Sequence, residues 1–327
     1  MIRTVLSDIL LYPDIVLQAT LWMSIKRPTC PTCTKPDRVC LCKRIRIPRI
    51  HVKPRVTILQ HRLEVKHPLN SARIATLGFR NVIVHTVSDV SSKVEVSIQF
   101  PETALKERVD ADIGSEEILN LSAARDFTTA TIGKYGEIIS LESDWIPPNN
   151  NPKRSTFDDI LSSAEARETL RQGFVVVKRE PKSSGEEFRI WVPSGTVVVF
   201  PSDRAVEAED LRAMNMEINN LIVLDGTWAK AKRIYKENPW LDLLPHLKLN
   251  LKRESLYGEV RSQPKVGYLS TIESIVFALE AVGESNEGLR ELLGVFESMI
   301  CDQRLRKYER LEGEKSSEIM YGSQQFQ

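Results

Sequence analysis

Apolar and polar positions change their period several times along the chain. Val56-Thr-Ile-Leu-Gln60 and Asn81-Val-Ile-Val-His85 are short, β-branched apolar runs, and each predicts a strand. Between them Asn70–Leu77 carries helical spacing, opened by a capping Asn70 and closed by Gly78. Thr196–Phe200 predicts a further strand, ended by Pro201-Ser202, and Ala205–Asn219 a helix. Asn220–Leu224 is an apolar, β-branched run after its first residue, as in strands covered on both faces of a parallel sheet. A helix over Ala229–Glu237 follows, stopped by Pro239, and Ser270–Val282 and Gly288–Leu311 predict the last helices. Strands alternating with helices predict an α/β fold with a mostly parallel sheet.

The pattern is least regular between residues 88 and 190. Val94–Phe100, Phe174–Lys178 and Phe188–Val192 look like strands, and a helix is expected near Asp158–Arg171. Pro147–Pro152 and Pro181–Glu187 are loop chemistry, so about 88–190 is predicted to be a loop-rich insertion. The remaining division is a helical lead-in over 1–27, a cysteine knuckle and basic ribbon over 28–53, the α/β domain over 54–311, and a frayed polar tail over 312–327.

Composition adds limits. With 327 residues, 42% hydrophobic and 27% charged, the chain can build a core without disulfides. It has no apolar run of about 18 residues, which excludes a membrane-spanning helix. The first ten residues contain Arg3 and Asp8 and the next few Pro13 and Asp14, a poor leader peptide, so a cytosolic or nuclear place is expected. The net charge of +1 hides an asymmetry. Residues 1–60 hold 11 Lys and Arg against 3 Asp and Glu, a charge of +8, so the remainder carries −7. A basic head points to a polyanion, or else to a solvated extension. No protein partner is evident.

Four of the five cysteines form Cys30-x2-Cys33-x6-Cys40-x-Cys42. Four thiolates on two short turns can converge on one structural zinc ion, with free cytosolic thiols as the alternative. Cys301 sits in a helical pattern and reads as a small core residue. After the knuckle, Lys43, Arg44 and Arg46 begin a ribbon in which bases alternate with apolar residues. Such a ribbon can follow an RNA phosphate backbone, or it can be a guarded edge strand.

Asp225-Gly226-Thr227-Trp228 joins the apolar strand to the next helix. Ligands of open α/β sheets bind at the carboxyl ends of strands, where Asp225 would lie. Gly226 permits a sharp turn, and Thr227 can cap the helix. Trp228 is a packing wedge or a stacking platform for a base.

With this turn, several pieces fall in one order. They are the cysteine knuckle, Gln60-His61…Glu64…His67-Pro68-Leu69-Asn70, Phe200-Pro201-Ser202, Asp225–Trp228 with its basic helix, and Leu269-Ser270-Thr271-Ile272-Glu273. In this order the sequence resembles the DTW-domain proteins, the tRNA-uridine aminocarboxypropyltransferases. The resemblance implies a SPOUT-like α/β fold with a knotted C-terminal half. It implies transfer of the 3-amino-3-carboxypropyl group of S-adenosylmethionine to N3 of a uridine in tRNA, with release of methylthioadenosine. Phe200, Pro201, Ser202, Leu224, Asp225, Gly226, Thr227, Trp228, Leu269, Ser270 and Thr271 would wall the cofactor. Asp225 would take the uridine proton or orient the amino group of the cofactor. His61, His67 and Arg73 would hold RNA or the carboxypropyl carboxylate, and Lys230 and Arg233 would meet phosphates. Two departures stand out: Ser202 replaces the usual glycine, and Gly258-Glu259-Val260 separates Ser255-Leu256-Tyr257 from Arg261. The rival readings are a SPOUT-type RNA methyltransferase, the same transfer to ribosomal RNA, and a non-catalytic zinc-dependent RNA-binding module.

Overall fold

A computed structural model describes residues 28–100, 126–146, 155–180, 185–250, 255–259 and 267–322. The expected lead-in over 1–27, most of the two proline-bearing loops and Arg261 lie outside them. The chain divides into two compact units, Met1–Arg44 and Ile45–Gln327.

The second unit runs β1 (Arg55–His61), α1 (Ala72–Gly78), β2 (Val82–Val87), β3 (Lys93–Gln99), β4 (Asp126–Gly133), β5 (Ile138–Ser143), α2 (Phe157–Ser162) and α3 (Ala164–Arg171). It continues with β6 (Gly173–Arg179), β7 (Glu186–Pro193), β8 (Thr196–Val199), α4 (Ala208–Ala213), β9 (Asn220–Asp225), α5 (Trp228–Lys236), β10 (His246–Leu247), α6 (Thr271–Ala281) and α7 (Glu287–Gly322).

The expected parallel sheet is present. Its order is β10-β8-β9-β1-β2, and every pairing is parallel. β9 is buried along its whole length, which explains its unbroken apolar run. The polar Asn220 at its start is satisfied: Thr57 Oγ1 donates to Asn220 Oδ1 at 3.0 Å, and Asn220 Nδ2 to Thr196 Oγ1 at 3.3 Å. These bonds tie three neighbouring strands at their amino ends. At the other end Gln60 and Asp225 are register partners, so both side chains reach the carboxyl edge together.

The loop-rich insertion expected over 88–190 is corrected by a second sheet. β3 to β7 form an antiparallel five-stranded sheet of order β5-β4-β3-β6-β7. β3 alternates exposed Lys93 and Glu95 with buried Val94 and Val96, the period of a half-buried strand. Ile98, Ile132 and Val176 of this sheet share one core with Leu59, Ile222 and Leu224 of the parallel sheet, and with the fully buried Trp240.

Three helices depart from expectation. The single helix near Asp158–Arg171 is broken at Ser163, whose ψ of 127° is extended and whose hydroxyl caps α3 through Ala166 N–H. The helix expected over Ala205–Asn219 shrinks to α4, because Asn215 turns into the left-handed region at φ 52°. α7 runs past the predicted end at Leu311 as far as Gly322. Its Glu- and Lys-rich stretch, expected as a frayed tail, has good helix propensity.

Candidate active site

The carboxyl edge of the parallel sheet opens into a cavity of about 680 Å³. That is within the usual range for a small-molecule site. Ten of the residues expected to wall a cofactor line it: Phe200, Pro201, Leu224, Asp225, Gly226, Thr227, Trp228, Leu269, Ser270 and Thr271. Ser202 is the exception. Its hydroxyl is buried and is not part of the cavity lining.

Asp225 is 4% exposed, and both its oxygens are held. Gln60 Nε2 donates to Oδ2 at 2.7 Å, and Thr271 Oγ1 donates to Oδ1 at 2.5 Å. β1, β9 and the first residue of α6 are thus joined through one carboxylate. These donors engage two of the roughly four lone-pair sites of a carboxylate. The arrangement fixes the orientation of Asp225, whichever proton or ligand atom it meets.

Local sequence builds the rest of the edge. Thr227 caps α5 as expected, accepting Lys230 N–H at 3.3 Å. A Cβ on Gly226 would lie 2.9 Å from Lys230 Cβ, so only glycine allows this turn without a shift. Ser270 and Glu273 form a capping box that opens α6. Glu273 does more than cap. Its buried carboxylate also accepts Ser255 Oγ–H at 2.5 Å and Leu256 N–H at 3.2 Å. The Ser255-Leu256-Tyr257 segment is therefore fastened to the start of α6, and Tyr257 O–H donates to the Leu69 carbonyl.

Several lining residues escaped the sequence reading of the site. Tyr268 packs against Trp228, with ring centroids 3.8 Å apart and planes 35° apart. Trp228 is thus both a packing group and a cavity wall. Glu64, 3% exposed, brings a second carboxylate to the lining, and Lys230 Nζ donates to it at 3.3 Å. Asn70, Ser71, Leu247, Asn250 and Tyr257 also face the cavity. Glu64 and Tyr257 belong to motifs already visible in the sequence. Tyr268 lay beside one, next to Leu269, and a lone tyrosine gave no signal.

The residues expected to hold RNA are mostly committed elsewhere. His61 is buried: Leu63 N–H donates to its Nδ1 at 3.2 Å, which leaves Nε2 to donate to Asp89 at 3.1 Å. Both ring nitrogens brace the turn after β1, a structural task for a residue expected to hold RNA or the carboxypropyl carboxylate. Arg73 Nη2 donates to the Val65 carbonyl at 2.9 Å and holds the same turn. His67 Nδ1 accepts Leu69 N–H at 3.1 Å, on a partly exposed ring. Arg233 pairs with Glu237 at 2.8 Å and with Asp89 at 3.1 Å. In the ribbon Arg46 is exposed, whereas Arg49 donates to the carbonyls of Thr76 and Leu77 and caps α1.

The cysteine unit is a separate site. Cys30 N–H bonds Lys35 O and Thr34 N–H bonds Cys30 O, each at 2.8 Å, and Thr34 adopts φ 54° to close this turn. All four sulfurs of Cys30, Cys33, Cys40 and Cys42 lie within 4.8 Å of one another. Cys30 and Cys42 sulfurs are 3.9 Å apart, and those of Cys33 and Cys40 3.6 Å. A tetrahedron with zinc–sulfur bonds of about 2.3 Å has edges of about 3.8 Å, so the donor set fits zinc. Burial pushes the Cys33 thiol up, but backbone N–H groups of Lys35, Leu41 and Cys42 outweigh it and bring it down to about 6. Burial, with the neighbouring sulfurs of Cys30 and Cys33, pushes Cys42 up to about 12. Protein alone therefore favours a thiolate at Cys33 and resists one at Cys42, a conflict that a dication removes. Lys43 donates to both oxygens of Asp37, at 2.7 and 2.8 Å, within this unit, and Arg44 ends it, half-buried.

The chain is 38% identical over 167 residues to tRNA-uridine aminocarboxypropyltransferase 2 of Drosophila melanogaster, covering 46% of this chain and 65% of that one. It is 32% identical over 101 residues to tRNA-uridine aminocarboxypropyltransferase 2 of Mus musculus, covering 31% and 33%. The chain thus spans less than two thirds of these relatives. No solved structure matches. The DTW domain model matches residues 27–112 and 148–304, so the unmatched internal stretch, 113–147, is narrower than the expected insertion. With the cysteine cluster, the cavity edge and most of the chain matched, the protein belongs to the DTW-domain family.

Proposed function

We propose that the chain transfers the 3-amino-3-carboxypropyl group of S-adenosylmethionine to N3 of a uridine in tRNA, releasing methylthioadenosine. The observation that carries this reading is the cavity at the carboxyl edge, walled by the family's own motifs around a fixed buried Asp225. The names of the related proteins support the transferase class and the tRNA substrate. The co-substrate supplies a sulfonium that activates the carbon to be transferred. The protein's part is to bind, orient and accept a proton. Phe200, Leu224 and Leu269 offer apolar walls, and the Trp228–Tyr268 pair offers a flat aromatic face. Asp225, held on both oxygens, is assigned to orient the amino end of the donor. Glu64, paired with Lys230 on the same lining, is assigned to take the uridine proton. A SPOUT-like fold belongs to the same proposal, supported by the parallel order in which β9 lies between β8 and β1. Cys30, Cys33, Cys40 and Cys42 would hold one structural zinc ion, whose charge offsets the thiolates and locks both turns. Reduced thiols of this kind suit the cytoplasm or nucleus.

The test is a by-product assay with S-adenosylmethionine and unmodified tRNA. Methylthioadenosine that requires tRNA supports the reading. S-adenosylhomocysteine in its place assigns methyl transfer, and neither product with tRNA still bound assigns a binding module. Metal analysis of the protein and of Cys33→Ser checks the zinc: about one ion per chain is expected, lost in the variant.

A further inference from the structure

The stretch 113–147, which the family model leaves unmatched, contains the β4–β5 hairpin. Its turn is Lys134-Tyr135-Gly136. Tyr135 is 62% exposed and sits in the left-handed region, φ 65° and ψ 17°. A bulky residue there is an outlier that surrounding structure must hold.

The holding contacts come from α5, the helix that starts in the cavity. Tyr135 N–H donates to Glu237 Oε1 at 3.1 Å. Gly136, at φ 85°, presses so closely on the helix end that a Cβ would lie 2.0 Å from the Lys236 carbonyl oxygen. Arg233, fixed by Glu237 and Asp89, places its guanidinium 5.0 Å from the Tyr135 ring centre. Lys134 Nζ approaches the same ring at 5.0 Å from an exposed side chain. Lys232 and Lys236 are exposed on the same helix, and Glu137 adds one exposed acid to the turn. The result is an exposed aromatic ring on a clamped turn, backed by a fixed cation and set beside exposed ones. Base–aromatic stacking with cations along the strand is how single-stranded nucleic acid is held. From Trp228 at the cavity wall to Lys236 beside this turn, α5 rises about 12 Å along its axis.

We propose that Tyr135 is a stacking platform for an unpaired nucleobase of the RNA whose target uridine enters the cavity, a contact particular to the hairpin outside the family model. The inference rests on the tRNA-modifying reading above. Lys134 is the group that the base displaces from the ring, and its charge then meets the adjoining phosphate.

The experiment measures binding of unmodified tRNA by fluorescence anisotropy at one fixed salt concentration, for the full chain and two variants. Tyr135→Asn keeps a residue that tolerates positive φ and removes the ring. Tyr135→Phe keeps the ring. Tyr135→Asn is expected to bind about 10-fold more weakly at an unchanged melting temperature, and Tyr135→Phe within about 2-fold of the parent. Unchanged affinity in Tyr135→Asn overturns the platform and leaves the transferase reading standing. An equal loss in Tyr135→Phe also overturns it, because stacking does not need the hydroxyl. A parent protein that binds no tRNA overturns both.

Discussion

The two five-stranded sheets are organised by opposite means. In the parallel sheet, polar residues at the strand ends carry the organisation: Asn220 ties three strands at one edge, and Asp225 ties β1, β9 and α6 at the other. In the antiparallel sheet the organisation is apolar and internal, through Val96, Ile98, Ala130, Ile132 and Val176. Its polar pairs are secondary to this core: Arg189 with Glu186 at 2.6 Å is partly exposed, and Lys178 with Glu187 at 3.0 Å is buried. The difference separates two tasks. One sheet has a chemically specified rim at which a ligand can be held, and the other supplies a wall against which that rim stays rigid.

The sharpest way to break this comparison is to cut each sheet where it is claimed to be strong. Ile98→Ala should lower unfolding free energy by about 2–5 kcal/mol in chemical denaturation, with little change in rate per folded molecule. Asp225→Asn should do the reverse, lowering methylthioadenosine release by about 100-fold while the fold survives. Similar losses of rate in both variants would remove the division of tasks. A smaller effect is expected at the hairpin. Gly136→Ala puts a Cβ into the Lys236 carbonyl at positive φ, and should destabilise by about 1 kcal/mol or more.

Acid should separate the sheets as well. Burial pushes His85 on β2 and His246 on β10 below the ordinary value of 6.5, so the folded protein holds both neutral. Their contribution is complete above 6.5 and is lost as pH falls toward the folded values, because the unfolded chain takes up the protons. Glu186 in the other sheet is lowered by its hydrogen bond from Arg189, so its contribution is present above 4.5 and is lost only below. The unfolding free energy should therefore fall between pH 6.5 and 5 in the parent and fall less in His246→Gln, the two slopes differing by at most about 1.4 kcal/mol per pH unit. The smallest effect is expected from Arg189→Ala, about 1 kcal/mol or less, shrinking as salt is added.

The two sheets also differed in how far the sequence disclosed them. β1, β2, β8 and β9 were legible because each is a compact apolar run flanked by turn chemistry. The starts of α5 and α6 were legible through Thr227 and Ser270, which cap them. β3, β6 and β7 were seen as fragments, but their pairing was not. β3 takes β4 and β6 as neighbours, and Ile98 faces Val176 across a long separation in sequence. No local window contains that information. The candidate site shows the same limit. Asp225 was visible as the end of a strand, whereas the donors that fix it come from Gln60 and Thr271, far away along the chain. The bracing of His61 by Leu63 and Asp89 was equally hidden, because a histidine beside a motif looks the same whether its ring is free or held.

β4 and β5 stand at one end of their sheet order. A hairpin added at a rim leaves every other ladder in register, so such an appendage can be gained, lengthened or exchanged between lineages without disturbing the strands that bear the cavity. Its excision is not neutral, however: β3 would become the outermost strand and bare a row of unpaired N–H and C=O groups. A shortened version of this protein would therefore need a proline or charges beyond Lys93 and Glu95 along β3 before it stayed monodisperse, a requirement that any attempt to trim the protein to its minimal core must meet first.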